Sequence, residues 1–334
     1  MYRLKTLEIV FEYPMTYTYQ APPIPKAFIW RRAHSLTGLW LVLFLIEHLL
    51  TNSQAALFVG DDGNGFVAAV NWIKGLPYLP LIEIILLGLP LLIHGFWGIH
   101  YLFQAKYNTQ PSDGSQPSLP GHFRNHAYTW QRITSWILLF GIVAHVIHMR
   151  FLEYPVTAQL DTQHYYLVRL EKDNGLYTLS KRLGFDLYSQ SQIQEIKQTI
   201  FSHLGPLVAL EETPEQLIAA QKNREEKAWV EAFESLHINA NQLVAASKTF
   251  GIAELLIVRD TFKKPIMIFL YTGLVIAACF HAFNGLWTFM ITWGISLTAR
   301  SQNFMRKMAT LLMIMIAFFG FAAIWGTYWF NLSH

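Results

Sequence analysis

Four histidines carry the chemistry that this sequence offers: His48, His94, His145 and His281, each set in a long apolar stretch. Ionisable side chains inside such stretches are costly and rare, and mark functional sites. A neutral imidazole is a good ligand for metal, haem iron included. His48 is preceded by a carboxylate, Glu47, in FLIEHLLTN (Phe44 to Asn52), which raises the question of what a second polar group does there.

The elements that must position these residues are five helices. Of 334 residues, 53% are hydrophobic and only 14% charged, against about 25% charged in a soluble globular chain. Five stretches meet the length of about 20 apolar residues that a membrane-spanning helix needs. They run roughly from Ser35 to Phe58, Leu79 to Phe103, Arg132 to Met149, from Pro265 onward with no Asp, Glu, Lys or Arg as far as Ala299, and Met308 to Phe330. Backbone groups in lipid must bond internally, which makes these segments helices. Pro90 predicts a kink in the second. Met1 to Gln20 is mixed polar and aromatic and does not read as a secretory signal. The single cysteine, Cys279, excludes an intrachain disulfide framework and a CxxCH haem attachment. No basic run with interleaved aromatics suggests nucleic acid.

Lys and Arg near short loops set orientation. Arg3, Lys5, Lys26, Arg31 and Arg32 precede the first span; Lys106, Arg124 and Arg132 lie between the second and third; Arg300, Arg306 and Lys307 lie between the fourth and fifth. The loop from Val59 to Tyr78 holds only Lys74, against Asp61 and Asp62. The N-terminus is therefore expected inside and the C-terminus outside.

The expected organisation is an all-α membrane protein: a five-transmembrane-helix bundle with a small α+β extracytoplasmic insertion between helices 3 and 4. Residues 1–153 would hold the N-terminal segment and three helices, 154–264 the insertion, and 265–334 the last two helices. Within the insertion, YYLVRLEKDNGLYTLSK alternates around Asn174-Gly175, a hairpin signature. Ser191 with Gln194, and Thr213 with Gln216 after which Pro214 opens the helix, stand in capping-box positions. AELLIVRDTF suits a helix on the membrane surface. His164, His203 and His237 read as surface histidines. Asn108 to Gly121 reads as a flexible loop.

Counting along the helices sorts the four intramembrane histidines by depth. His48 and His145 each lie about 13 residues past the inner start of their spans, hence about 20 Å from the inner face. His94 and His281, on helices running the other way, fall roughly 8 Å from the inner face of a ~30 Å hydrocarbon layer. Two levels with two imidazoles each suggest two bis-histidine haems between facing helices. Gly38, Gly95, Gly98, Gly141 and Gly285 would let flat macrocycles approach the backbone. On spacing alone His148 competes with His145, and His100 with His94; both read as interface residues or propionate neighbours.

RRAHSLTG (Arg31 to Gly38), FLIEHL (Phe44 to Leu49), LPLLIHGFWGIH (Leu89 to His100) and FHAFNGLWTFMITWGISLTARSQ (Phe280 to Gln302) resemble the single-subunit, five-helix, di-haem cytochrome b anchors of succinate:quinone oxidoreductases, the succinate dehydrogenases and fumarate reductases. The resemblance covers the spans and short loops. It implies two haem b groups with axial ligands His48, His94, His145 and His281, the first paired with the third and the second with the fourth. It further implies partner subunits, a flavoprotein with FAD and an iron–sulfur protein, and a membrane quinone, menaquinone, as substrate. Electrons would run from the iron–sulfur subunit to the inner haem, the outer haem and quinone, across a bacterial inner membrane; fumarate reduction would reverse this. Arg31, His34 and Ser35, in a polar cluster with Arg32 and Thr37, are candidates for inner-haem propionates or subunit contacts. Glu83, near the outer end of the second span, is the candidate for proton handling at quinone. Glu47 is expected to hydrogen-bond an adjacent helix or line a proton path. Rival readings are the di-haem anchor of a hydrogenase or formate dehydrogenase, a haem-free proton-relay transporter, and a receptor or scaffold whose insertion is its working part.

Overall fold

The structure is a computed structural model, which describes residues 24–57, 61–105, 108–109, 111–115, 118–161, 163–203 and 213–333. Arg3, Lys5, Phe58, Val59 and Lys106, and the stretch from Met1 to Gln20, lie outside the described residues, as does the side chain of His203.

Among the described residues, five helices are long and apolar enough to cross a membrane: Lys26–Ser53, Leu79–Gln104, Phe123–Leu152, Pro265–Thr292 and Ala299–Phe330, called here spans one to five. Spans one, three and five open earlier than the apolar stretches suggest, at Lys26, Phe123 and Ala299. Local capping explains the fifth: Thr298 and Ser301 bond each other's backbone N–H in a capping box. Hydropathy sees only the apolar part, while backbone bonding carries the helix on through charged turns. Span two meets Pro90 with a π-helical turn over Ile84–Gly88. Proline cannot donate to the carbonyl one turn back; the Leu86 carbonyl instead accepts from the Trp40 indole of span one.

Span four is the hub, packed on spans one, three and five, while span one also packs on two and five. Their shared core includes Leu49, Ile268, Val275, Phe283 and Ile316. Spans two and three touch only lightly, and their most apolar windows bury nothing inside the protein. Surfaces of that kind are what lipid tails cover.

Between spans three and four in the chain lies a four-stranded antiparallel sheet of order β1-β2-β4-β3: β1 Val156–Leu160, β2 Gln163–Glu171, β3 Asp186–Ser189 and β4 Gln242–Ser247. Helices cover both faces. Val168, Leu243 and Ala245 pack with Leu176, Leu179 and Leu256 on one side; Leu167, Val244 and Ala246 pack with Trp229 and Phe233 on the other. A strand buried on both faces needs a continuous apolar run, which LVAA in β4 supplies.

Several local expectations are corrected. Asn174-Gly175 does not turn a hairpin: Asn174 is the N-cap of the helix Gly175–Leu183, and Asp173 accepts the Leu176 N–H. The hairpin joins β1 to β2, with Leu160 opposite Gln163 and Asp161 at φ 48°. The reciprocal bonds at the start of Gln190–His203 come from Ser189 and Gln192, rather than Ser191 and Gln194. Thr213 and Gln216 do form a capping box, with Pro214 opening Pro214–Ser235.

AELLIVRDTF is not a membrane-surface helix. Phe250–Thr261 is buried on both sides, with Leu255, Leu256 and Ile257 at most 3% exposed. Each such side chain contributes about 1.5–3 kcal/mol of burial. One face meets the sheet. The other meets Asn64–Lys74, a helix inside what reads as a short loop. Gly251 makes that crossing close: its N–H donates to Asn71 Oδ1 at 2.7 Å, and a Cβ there would stand 2.5 Å from the Val67 carbonyl oxygen.

Candidate functional site: two histidine pairs inside the bundle

With span four beside one and three, and span one beside two and four, spans one and three lie across the bundle from each other, as do two and four. Both diagonals carry histidines. The rings of His48 and His145 have centres 5.9 Å apart and planes at 75°. Those of His94 and His281 are 6.2 Å apart at 84°. The structure therefore brings together the same pairs that depth sorts.

Each of the four rings has its Nδ1 beside a polar group. His94 Nδ1 lies 3.0 Å from the His34 carbonyl oxygen. His281 Nδ1 lies 3.3 Å from the Gln131 carbonyl oxygen, with Thr134 Oγ1 and Ser135 Oγ both at 3.4 Å. His145 Nδ1 lies 3.2 Å from Tyr271 Oη. His48 Nδ1 is 3.5 Å from the Asn52 amide, at the limit of hydrogen bonding. A carbonyl only accepts, so His94 and His281 hold their proton on Nδ1 and present an Nε2 lone pair. That is how metal-bound histidines are oriented.

The residues present fit a haem at each level. A metal–nitrogen bond of about 2.0 Å and roughly 1.2 Å from nitrogen to ring centre, counted on both sides, put two axial imidazoles about 6 Å apart. Both pairs have that spacing. At the His94 level, His34 stacks on His94 at 4.1 Å and 9°. His34 Nδ1 is buried with no hydrogen-bond partner among the described residues, a state that calls for a ligand atom. Gly38 leaves room for the His94 ring, since a Cβ there would sit 2.8 Å from His94 Cε1.

The remaining candidates divide. Ser35 Oγ accepts from the Trp293 indole at 3.3 Å, tying span one to span four. Arg31 is exposed; its neighbour Arg32 reaches the Thr292 carbonyl at 3.4 Å and covers the Phe28 ring. Thr37 bonds carbonyls of its own helix. His100 bonds Gln104 on the same face. Glu83 pairs with Arg150 of span three at 3.0 Å. Glu47 accepts from Thr51 one turn along span one, at 2.9 Å; among the described residues it does not bond an adjacent helix. Asp62 pairs with Arg182 at 2.9 Å and is no free loop charge. His164 and His237 are exposed.

Sequence reasoning misses Tyr271, whose hydroxyl meets both His145 and His148, the latter at 3.1 Å. It also misses Gln131, whose amide donates to the His281 carbonyl and accepts from Asn284. Arg132 reads as a flank charge in the sequence, yet it is 6% exposed and lies over the Tyr128 ring.

Among the described residues, one carboxyl in the sheet region is strongly shifted. Burial pushes the Glu254 carboxyl up to about 7, with Arg150 and Lys74 pulling it back. Lys74 itself donates to Tyr154 Oη at 2.9 Å and lies over Phe250.

Fold and site together define a multi-pass helical membrane protein with imidazole pairs at two levels. The chain resembles the cytochrome b membrane anchors of succinate:quinone oxidoreductases along nearly its whole length: it is 23% identical over 300 residues to the succinate dehydrogenase cytochrome b558 subunit of Bacillus subtilis (strain 168), covering 90% of this chain and 96% of that protein. No family model matches the chain, and no solved structure matches it.

Proposed function

We propose that this chain is the membrane-anchor cytochrome b of a succinate:quinone oxidoreductase, carrying electrons between an iron–sulfur partner subunit and a membrane quinone through two b haems. The observation that carries this reading is the pair of facing imidazoles on each bundle diagonal, at 5.9 and 6.2 Å. Held by an imidazole from each side, the haems would serve as one-electron carriers at two depths rather than as sites of oxygen chemistry.

The chain's own residues hold, orient and neutralise. His48 with His145 would hold one haem, and His94 with His281 the other. His34 and the buried Arg132 supply a donor and a positive charge for haem carboxylates at the His94 level, where an unpaired carboxylate in hydrocarbon would be costly. Ser35 and Arg32 brace the same end of the bundle. That end carries Lys26, Arg124, Arg306 and Lys307 and is the cytoplasmic one, facing the flavin and iron–sulfur subunits. Residues 154–264 and the C-terminus then lie outside, and Glu83, braced by Arg150 at the outer end of span two, is the carboxyl for quinone protonation. A low-potential quinone, menaquinone, is the proposed substrate.

The test is a reduced-minus-oxidised spectrum of the purified protein with haem quantified. About two low-spin b haems per chain, one lost in His48→Ala and the other in His94→Ala, is the expected result. Haem-replete material that binds none would overturn the reading in favour of a proton relay.

A further inference from the structure

Tyr271 lies in the membrane on span four, and its hydroxyl stands between two imidazole nitrogens. His145 Nδ1 is 3.2 Å away and His148 Nδ1 is 3.1 Å away. The hydroxyl makes no other hydrogen bond among the described residues. Its ring is held edge-on by Phe262 at 5.4 Å and 89°, and Phe262 is 5% exposed. The His145 ring meets it at 5.6 Å and 81°.

On the proposed function, proton counting gives these bonds a direction. A phenol has one proton to give and can accept others. A histidine that binds metal through Nε2 carries its proton on Nδ1 and donates it. His145 is the ring that faces His48, so in the proposed function its Nδ1–H points at Tyr271 Oη. The single Tyr271 proton must then go to the other nitrogen within reach, His148 Nδ1. His148 in turn carries its own proton on Nε2.

We infer that Tyr271 is a positioning residue for the haem held by His48 and His145: it fixes the His145 imidazole through the directed chain His145 Nδ1–H to Tyr271 Oη–H to His148 Nδ1. The inference rests on the haem reading. His148 is then the terminal acceptor of this chain rather than a rival ligand. The π-helical turn Ile147–Leu152 begins between the two histidines. Because Phe262 follows directly on the helix Phe250–Thr261, the clamp on Tyr271 is built from the sheet-bearing segment. At the other level the nearest Nδ1 partners are carbonyl oxygens, with the Thr134 and Ser135 hydroxyls at 3.4 Å from His281. The two levels therefore differ: among the described residues, only the His48–His145 level has a histidine hydrogen-bonded through a tyrosine to a further histidine.

Tyr271→Phe removes the hydroxyl and keeps the ring. Redox titration and electron paramagnetic resonance of the intact protein, with haem content, give the readout. The affinity for the haem of His48 and His145 falls 10- to 100-fold, as for other partners of metal-bound histidines; its midpoint and low-spin signal move, while those of the other haem stay. His148→Ala keeps the His145 to Tyr271 bond and shifts the same haem less, without loss of haem. If Tyr271→Phe does not assemble, His148→Ala decides alone: a shift confined to that haem supports the chain, and no shift overturns it. Two haems unchanged in Tyr271→Phe, or both disturbed equally, overturn it as well. Wild-type protein with no haem would instead remove the proposed function and this inference with it.

Discussion

Gly38→Ala tests the His94 level with a single methyl group. An added Cβ would lie 2.8 Å from His94 Cε1, where ordinary contact begins near 3.4 Å. The ring must therefore move about 0.6 Å, and little around it can yield. His34 stacks on it at 4.1 Å, and Nδ1 is held by the His34 carbonyl at 3.0 Å. Overpacking of this kind costs about 1–3 kcal/mol. Disturbing the partner that orients a metal-bound histidine costs roughly 10–100-fold in affinity, or about 1.4–2.7 kcal/mol. On the proposed function, pyridine haemochrome on purified protein should fall from about two haems per chain toward one, with the survivor belonging to His48 and His145. Gly273→Ala in span four is the control, since a Cβ there meets nothing within 4 Å. Two haems with unaltered midpoints in Gly38→Ala would refute the claim that this glycine makes room for an iron ligand.

Glu254 predicts a pH dependence. Its folded-state carboxyl keeps a proton up to about pH 7, against 4.5 for the ordinary group. Between those values the folded state binds more protons than the unfolded, so stability falls as pH rises through that window and stays lower above it. The loss is at most about 3 kcal/mol. Glu254→Gln should flatten thermal stability across this range in detergent, and an unchanged slope would exclude Glu254 as its source. Glu83→Gln breaks an ion pair with Arg150 whose side chains are 39% and 44% exposed, so stability should drop by less than about 1 kcal/mol with both haems retained, while quinone turnover slows several-fold. Turnover equal to wild type would remove Glu83 from proton handling. Trp40→Phe strands the Leu86 carbonyl in an apolar setting at a cost of about 1–3 kcal/mol. Adding Pro90→Ala, which restores an N–H donor, should recover part of that loss; strict additivity of the two changes would argue against the pairing.

The sequence by itself determined the number of apolar spans and the positions of four histidines along them. Both are local properties: hydropathy depends on a window of neighbours, and depth on a count along a helix of fixed rise. Tyr271 and Gln131 were not legible, and Gly38 reads in the sequence as room for a macrocycle rather than for the His94 ring it meets, because which face of a helix meets which neighbour depends on packing between segments far apart in the chain. His145 and Tyr271 are 126 residues apart; Gly38 matters only because span two lays His94 against it. The same reason explains the local errors. Asn174-Gly175 carries a hairpin signature, but the second neighbour of β2 is β4, more than seventy residues on, and the chain after Glu171 is free to start a helix. AELLIVRDTF has the composition of a membrane-surface helix, but β2, β4 and Asn64–Lys74 bury it from both sides. The pairing of imidazoles across the bundle is likewise a tertiary outcome: the chain sets each ring's level, and the diagonal arrangement of the four helices turns equal levels into facing pairs.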